Sequence, residues 1–290
     1  MHKGTLLRSR LLQPNPVVII AAHNPLGARL AERAGFDGVW ASGFELSASY
    51  GVPDASLLSM TQHLDMLRAI ADTVDLPVVA DIDTGYGNAV NVVHAVRQYD
   101  RAGAAAVVIE DKKFPKTTSL LESGRQTLVP IEEFEGKVAA AVDARRDSPL
   151  MVIARTEALI AGLGLDEALQ RAHHYAEAGA DAILIHSKSR TPDEVLGFVE
   201  AWERETPLVL VPTNYPSLTE AKIAELGKVK LVVYGNHTVR AIVTALEQVY
   251  AQIRKDGGVL GVEDRIATVA EVFELQGYED LERLESRFLR

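Results

Sequence analysis

Three stretches, Arg33-Ala34-Gly35-Phe36-Asp37-Gly38, Arg101-Ala102-Gly103-Ala104 and Glu177-Ala178-Gly179-Ala180-Asp181-Ala182, repeat one pattern along the chain. In each, an amphipathic segment runs into a glycine and an apolar run follows. Glycine adopts the left-handed conformation that ends a helix without a Cβ penalty, so each stretch reads as a loop from a helix into a strand. Their recurrence points to a repeated βα unit.

Working outward, eight short apolar runs appear at residues 17–21, 38–42, 77–83, 106–110, 150–155, 182–186, 207–211 and 231–234. They are rich in Val, Ile, Leu and Ala with little alternation, which suits parallel strands covered on both faces. Helical patterns cover 88–102, 130–145, 164–179, 191–203, 217–226 and 238–253, clearest where Leu165, Leu169, Ala172 and Ala176 share one face. Eight units without a clear linker favour a (β/α)8 TIM barrel. An open doubly wound sheet is the less favoured alternative, because no glycine-rich dinucleotide fingerprint follows the first strand. Asp256-Gly257-Gly258 breaks the pattern, and 262–290 reads as one or two charged amphipathic helices. The expected division is a catalytic barrel over 1–255 and a helical extension over 256–290, packed on the barrel or on a neighbouring subunit.

The 290-residue chain is 47% hydrophobic, ample for a large core, and carries a net charge of -10. That charge argues against nucleic acid and anionic membrane as partners, while a locally positive pocket for an anion stays open. Without cysteine there is no disulfide, thiolate nucleophile or zinc-thiolate site. Residues 1–13 lack the apolar core of a signal peptide, and no run approaches the roughly 18 apolar residues that span a bilayer, so a cytoplasmic location is expected.

A barrel of this kind carries its site at the C-terminal ends of the strands. Those ends are Trp40-Ala41-Ser42-Gly43-Phe44 with Asp54 beyond, Asp81-Ile82-Asp83-Thr84-Gly85-Tyr86-Gly87, Glu110-Asp111-Lys112, Arg155-Thr156-Glu157, His186-Ser187-Lys188, Pro212-Thr213-Asn214 and Gly235-Asn236-His237. Asp81, Asp83 and Glu110 form a hard oxygen set suited to Mg2+, partly through waters; each alone would read as a helix cap or turn residue. The loop Lys112-Lys113-Phe114-Pro115-Lys116-Thr117-Thr118-Ser119 is either a solvated turn or a set of donors for an anionic substrate. Arg155 can pair bidentately with carboxylate or phosphoryl oxygens, and His186 can donate to such an oxygen or move a proton. Ser42-Gly43 offers backbone N–H groups, though a Ser-Gly pair is most often a turn. His63, His94, His173 and His174 lie in helical segments and read as surface or packing residues. Gly85-Tyr86-Gly87 lacks the spacing of a Walker loop and reads as a shaped turn.

Taken together, Trp40-Ala-Ser-Gly43, Asp81-Ile-Asp83-Thr-Gly-Tyr-Gly87, Glu110-Asp-Lys112, Pro115-Lys116, Arg155 with Glu157 and His186-Ser187-Lys188 resemble the phosphoenolpyruvate mutase and isocitrate lyase superfamily. The resemblance implies a Mg2+-dependent enzyme, with Mn2+ or Co2+ as substitutes, acting on an α-oxo or α-hydroxy carboxylate. It also implies a barrel whose last helix is swapped between subunits, in a homotetramer built as a dimer of dimers. Lyases of the superfamily carry a cysteine after the paired lysines; here the loop continues Phe114-Pro115-Lys116, which disfavours C–C cleavage. The mutase carries Asn before the loop serine, where this chain has Thr118, and that difference resembles the branch that hydrolyses the P–C bond of phosphonopyruvate.

On this likeness Asp81 anchors the metal, with Asp83, Glu110 and Asp54 holding its waters. Ser42 and Gly43 bind the substrate carboxylate, and Trp40 and Phe44 wall the pyruvyl group. Arg155, His186, Lys116, Thr118 and Ser119 surround the phosphoryl oxygens, and the loop closes on a hinge near Gly124. The alternatives are a mutase, a lyase or acylhydrolase of an oxaloacetate-like acid, and an inactive carboxylate-binding barrel.

Overall fold

The computed structural model describes residues 2–289 except 122–125, so the hinge expected near Gly124 lies outside the described residues. The chain forms two compact units, Met1–His237 and Thr238–Arg290.

In the first unit eight parallel strands close into a barrel in sequence order: β1 (Val17–Ala22), β2 (Gly38–Ala41), β3 (Val78–Asp81), β4 (Ala106–Glu110), β5 (Met151–Thr156), β6 (Ala182–Ile185), β7 (Leu208–Leu210) and β8 (Val229–Tyr234). Closure comes from β1 pairing with both β2 and β8, Ile19 opposite Gly38 and Val17 opposite Leu231. The three glycine loops behave as their sequence requires: Gly35, Gly103 and Gly179 have φ of 84°, 88° and 98°. Each sits in a double cap; at the first, the Gly35 amide donates to Glu32 O and the Phe36 amide to Ala31 O.

Alternate strand residues serve two cores. Ile19, Val79, Val108, Ile153, Leu184, Val209 and Val233 belong to one buried cluster, whereas Val39, Val78, Val107, Val152, Ile183 and Val232 pack in the cluster that includes the surrounding helices. A period of two along each strand produces this split. Leu7 and Leu11 join the inner cluster from helix Lys3–Leu11, an element absent from the sequence reading. Its polar side chains are tied down instead of solvated: Arg8 Nε donates to Pro149 O at 2.9 Å, and Lys3 Nζ donates to the Ala71 and Val74 carbonyls.

The third strand ends at Asp81, short of the expected 83, because Asp83 turns to φ 51°, followed by Gly85 at 85° and Tyr86 at 60°. Asp tolerates this left-handed region better than most residues, and such conformations gather at functional sites.

In the second unit, helix His237–Asp256 is followed by Val269–Gln276 and Tyr278–Phe288, hinged on Gly277 at φ 78°. From Thr238 onward, helix His237–Asp256 belongs to this second compact unit. Among the described residues no helix is long and apolar enough to cross a membrane.

Candidate active site

The same period of two builds the site. Continuing each inward row by one step places Ser42 beyond Trp40, Asp81 beyond Val79, Glu110 beyond Val108, Arg155 beyond Ile153 and His186 beyond Leu184. All five of these polar residues are buried at the strand ends. They are the groups expected from the sequence, and closure of the barrel brings them together.

One side of the mouth is acidic. Burial pushes the Asp81 carboxyl up to about 6, against the opposing pull of Lys116, and burial likewise raises Asp83. The Asp83 amide donates to Asp81 Oδ1 at 3.2 Å, which ties the Asp81 carboxylate to the backbone that carries Asp83. Lys116 reaches in from the loop after β4, its Nζ 2.6 Å from Asp83 Oδ1 and 2.9 Å from Asp54 Oδ1. Burial opposes its charge, yet the surrounding carboxylates of Asp83, Asp54, Glu110 and Asp81 hold the ammonium well above its ordinary range. An added Cβ on Gly43 would lie 3.1 Å from Asp83 Oδ1 and 3.5 Å from Asp81 Oδ2, so the glycine keeps backbone close to both acids.

Among the described residues no three acidic or imidazole groups converge tightly enough to cage a bare metal ion. The donor set fits a hydrated divalent cation better: Asp81 faces the cavity with a strained charge, and Glu110 Oε1 is buried without a hydrogen-bond partner. A small hard cation that keeps several waters suits such an arrangement.

The opposite side is a cationic clamp. Arg155 Nε donates to Glu157 Oε1 at 2.6 Å and lies 3.4 Å from Glu110 Oε2; Nη2 donates to Ser119 Oγ at 2.9 Å and lies 3.0 Å from His186 Nδ1. Three of its five donors are thereby spent, which leaves those of Nη1 for a ligand. Burial lowers the His186 pKa, so its ring is neutral near pH 7. A guanidinium cannot accept, hence the 3.0 Å contact requires an unprotonated Nδ1 and places the ring proton on Nε2. The alternative contact, Nδ1 to Glu157 Oε1, is longer at 3.2 Å and goes to a carboxylate already well supplied with donors.

Glu157, which carries no expected role in the sequence motif, is central to the clamp. It sits two residues beyond Arg155, the same step of two that identifies the other groups. Burial pushes its carboxyl up, but Arg155 and Lys112 together hold it well below the usual carboxylate range. Asp111, one residue out of step with Glu110, turns away from the mouth. Its carboxylate accepts from the Glu157 amide at 2.9 Å and from Tyr175 OH at 2.8 Å, and burial pushes its pKa up to about 6.

A cavity of about 580 Å³ joins the two sides, lined by Trp40, Ser42, Phe44, Asp54, Asp81, Lys116, Thr118, Ser119, Arg155 and His186 among others. Asp83 and Glu110 lie behind this lining, and Gly43 opens helix Gly43–Ser49, whose first amides have no intrahelical acceptor. Leu120, Val211, Thr213, Val233, Gly235 and Asn236 complete the wall, none of them a ligand contact expected from the sequence. Of the histidines read as surface or packing groups, His63 is buried, with its Cε1 3.4 Å from where a Gly43 Cβ would stand; His94 is exposed.

A closed barrel with an acidic and a cationic wall across one cavity, edged by residues of the loop after β4, defines a class of enzymes for small phosphorylated or carboxylated acids. The family model for phosphoenolpyruvate phosphomutase matches residues 7–254, and the chain belongs to that family. It is 59% identical over 290 residues to the phosphonopyruvate hydrolase of Variovorax sp. (strain Pal2), covering 100% of both chains, and 42% identical to the phosphoenolpyruvate phosphomutase of Tetrahymena pyriformis, covering 99% of this chain and 96% of the relative. Among solved structures, a phosphonopyruvate hydrolase in complex with oxalate and Mg2+ superposes with TM-score 0.95 at 57% identity over 100% of both chains. The phosphoenolpyruvate phosphomutase from Streptomyces platensis subsp. rosaceus superposes with TM-score 0.97 at 52% identity, also over 100% of both.

Proposed function

We propose that the protein hydrolyses the P–C bond of phosphonopyruvate to pyruvate and phosphate, with Mg2+ as its cofactor. The observation that carries this reading is the single cavity shared by Asp81 on one wall and Arg155 with His186 on the other, with Thr118 at its loop edge. A substrate with a pyruvyl end and a phosphoryl end matches that polarity. The 59% identity to a phosphonopyruvate hydrolase over the whole chain supports the same choice.

Asp81 would hold the cation, with Asp83, Glu110 and Asp54 around its waters; bound there, Mg2+ supplies positive charge against the enolate that leaves as the P–C bond breaks. The chain's own residues do the rest. The amides at Ser42 and Gly43 receive the carboxylate, and Trp40 and Phe44 flank the planar pyruvyl group. The Arg155 Nη1 donors and the His186 Nε2 proton meet the phosphoryl oxygens. A loose phosphoryl-transfer transition state needs positioning and charge neutralisation more than covalent chemistry, which suits this preset clamp. Lys116, paired with Asp54 and Asp83, closes the cavity and excludes bulk water. Thr118, half-buried in the cavity lining, orients the one water that attacks phosphorus, because its hydroxyl both accepts and donates.

Return of the phosphoryl group to the enolate oxygen, as in a mutase, is the second reading, favoured by the equally close backbone match to a phosphomutase. Threonine in place of the mutase's asparagine argues for water as the acceptor. Phosphorus NMR of purified protein with phosphonopyruvate and Mg2+ separates them: orthophosphate with equimolar pyruvate establishes the hydrolase, and phosphoenolpyruvate overturns it in favour of the mutase. No turnover would point to an inactive barrel.

The protein is further proposed to work in the cytoplasm as a homotetramer, with the 1–255 barrel catalytic and the C-terminal segment packing on a neighbouring subunit. Val243, Leu246 and Tyr250 recur at three- and four-residue spacing on helix His237–Asp256, an apolar row that supports a packing partner for that face. Sedimentation equilibrium at several concentrations tests it, and a monomer throughout would refute it.

A further inference from the structure

The Ser119 hydroxyl has no capacity left for a substrate. A serine hydroxyl donates once and accepts twice. Ser119 Oγ donates to Glu157 Oε2 at 2.6 Å and accepts from Lys112 Nζ at 2.6 Å and Arg155 Nη2 at 2.9 Å. Lys112 Nζ also lies 2.9 Å from Glu157 Oε2 and donates to Thr117 O at 2.8 Å. Lys112, Glu157 and Ser119 are all buried, and Lys112 and Glu157 are almost completely so. The Glu157 carboxylate therefore receives Ser119 and Lys112 on one oxygen and Arg155 on the other.

We propose that Glu157 is a positioning residue that fastens the loop after β4 to the Arg155–His186 clamp, and that Ser119 and Lys112 form the latch between them. Ser119 then acts on the reaction through Arg155, in contrast to the direct phosphoryl contact anticipated from the sequence. Seating of Thr118 and preset orientation of Arg155 become one event, because the residue after Thr118 is the latch itself. Without Glu157, two buried cations would face one another across Ser119 and the loop would leave.

The proposal rests on the phosphonopyruvate reading only for its kinetic arm. Glu157→Gln keeps the shape and removes the charge that collects these donors. Trypsin cleavage after Lys116, followed by the appearance of an N-terminus at Thr117 and read without substrate, should accelerate about tenfold or more in this variant. With phosphonopyruvate and Mg2+, kcat/KM should fall about 100-fold, carried mainly by kcat. Adding Ser119→Ala to Glu157→Gln should cost less than about threefold more, because both act through one unit. Multiplying effects, or unchanged cleavage at Lys116, would overturn the latch. Should Glu157→Gln fail to fold, Ser119→Ala alone carries the cleavage test, since it leaves Lys112 and Glu157 paired. A wild-type protein that does not turn over phosphonopyruvate refutes the proposed reaction and leaves the cleavage result to decide the latch.

Discussion

Replacing Asp81 by asparagine exchanges a buried carboxylate for an amide of the same shape, and the Asp83 amide that donates to Asp81 Oδ1 finds an acceptor in either. Burial is the main reason that this carboxyl is pushed up to about 6 from its ordinary 3.8, a displacement worth about 3 kcal/mol against the ionised form. The sign follows from linkage. With the folded pKa above the unfolded one, the wild-type protein carries no penalty below pH 3.8; stability is lost as pH rises from there through about 6, and the loss stays complete above. Stripped of metal by a chelator, Asp81→Asn should match the wild type near pH 4 and exceed it by about 3 kcal/mol near pH 7.5. For a chain of this length that corresponds to about 5 °C in Tm. Added Mg2+ should raise the Tm of the wild type and leave the variant unmoved, while turnover of phosphonopyruvate falls to background. Calorimetry across pH, with and without chelator, reads all of this. A metal-free variant no more stable than the wild type at pH 7.5 would refute the strained-carboxylate argument, and Mg2+-dependent turnover by the variant would remove Asp81 as the anchor.

Thr118→Asn should lower phosphate release at least tenfold and divert some turnover to phosphoenolpyruvate, visible in the phosphorus spectrum; unchanged hydrolysis would take Thr118 out of the mechanism. Arg155→Lys keeps the charge but replaces a fork that spans Glu157, Ser119 and His186 with one ammonium, and losing two charge-assisted hydrogen bonds at about 1.5–3 kcal/mol each predicts a fall of roughly 10²–10⁴ in kcat/KM. Pyruvate release coupled to lactate dehydrogenase measures it, and activity within fivefold of wild type would contradict the clamp.

Much of this architecture is legible in the chain because local and global demands coincide. Gly35, Gly103 and Gly179 do what their helix ends require, and the strands between them have the doubly buried composition of a parallel sheet. The site was legible for a related reason: a strand's period of two carries Val79 into Asp81, Val108 into Glu110, Ile153 into Arg155 and Leu184 into His186, so chemistry and core share one register. Helix Lys3–Leu11 is not legible in the sequence, because its basic residues hold backbone carbonyls at the foot of the barrel, a use that no local pattern announces.

Sequence alone thus determined the barrel, the rim of polar residues and the family, since each depends on patterns a few residues long that repeat. Tertiary structure decided who pairs with whom. Glu157 became the hub of the clamp, Ser119 exhausted its hydroxyl inside the protein, and Lys116 crossed the mouth to Asp54 and Asp83. Those outcomes depend on donors and acceptors far apart in sequence competing for the same few atoms inside a closed, water-poor space, where geometry and desolvation, not residue type, set the winner.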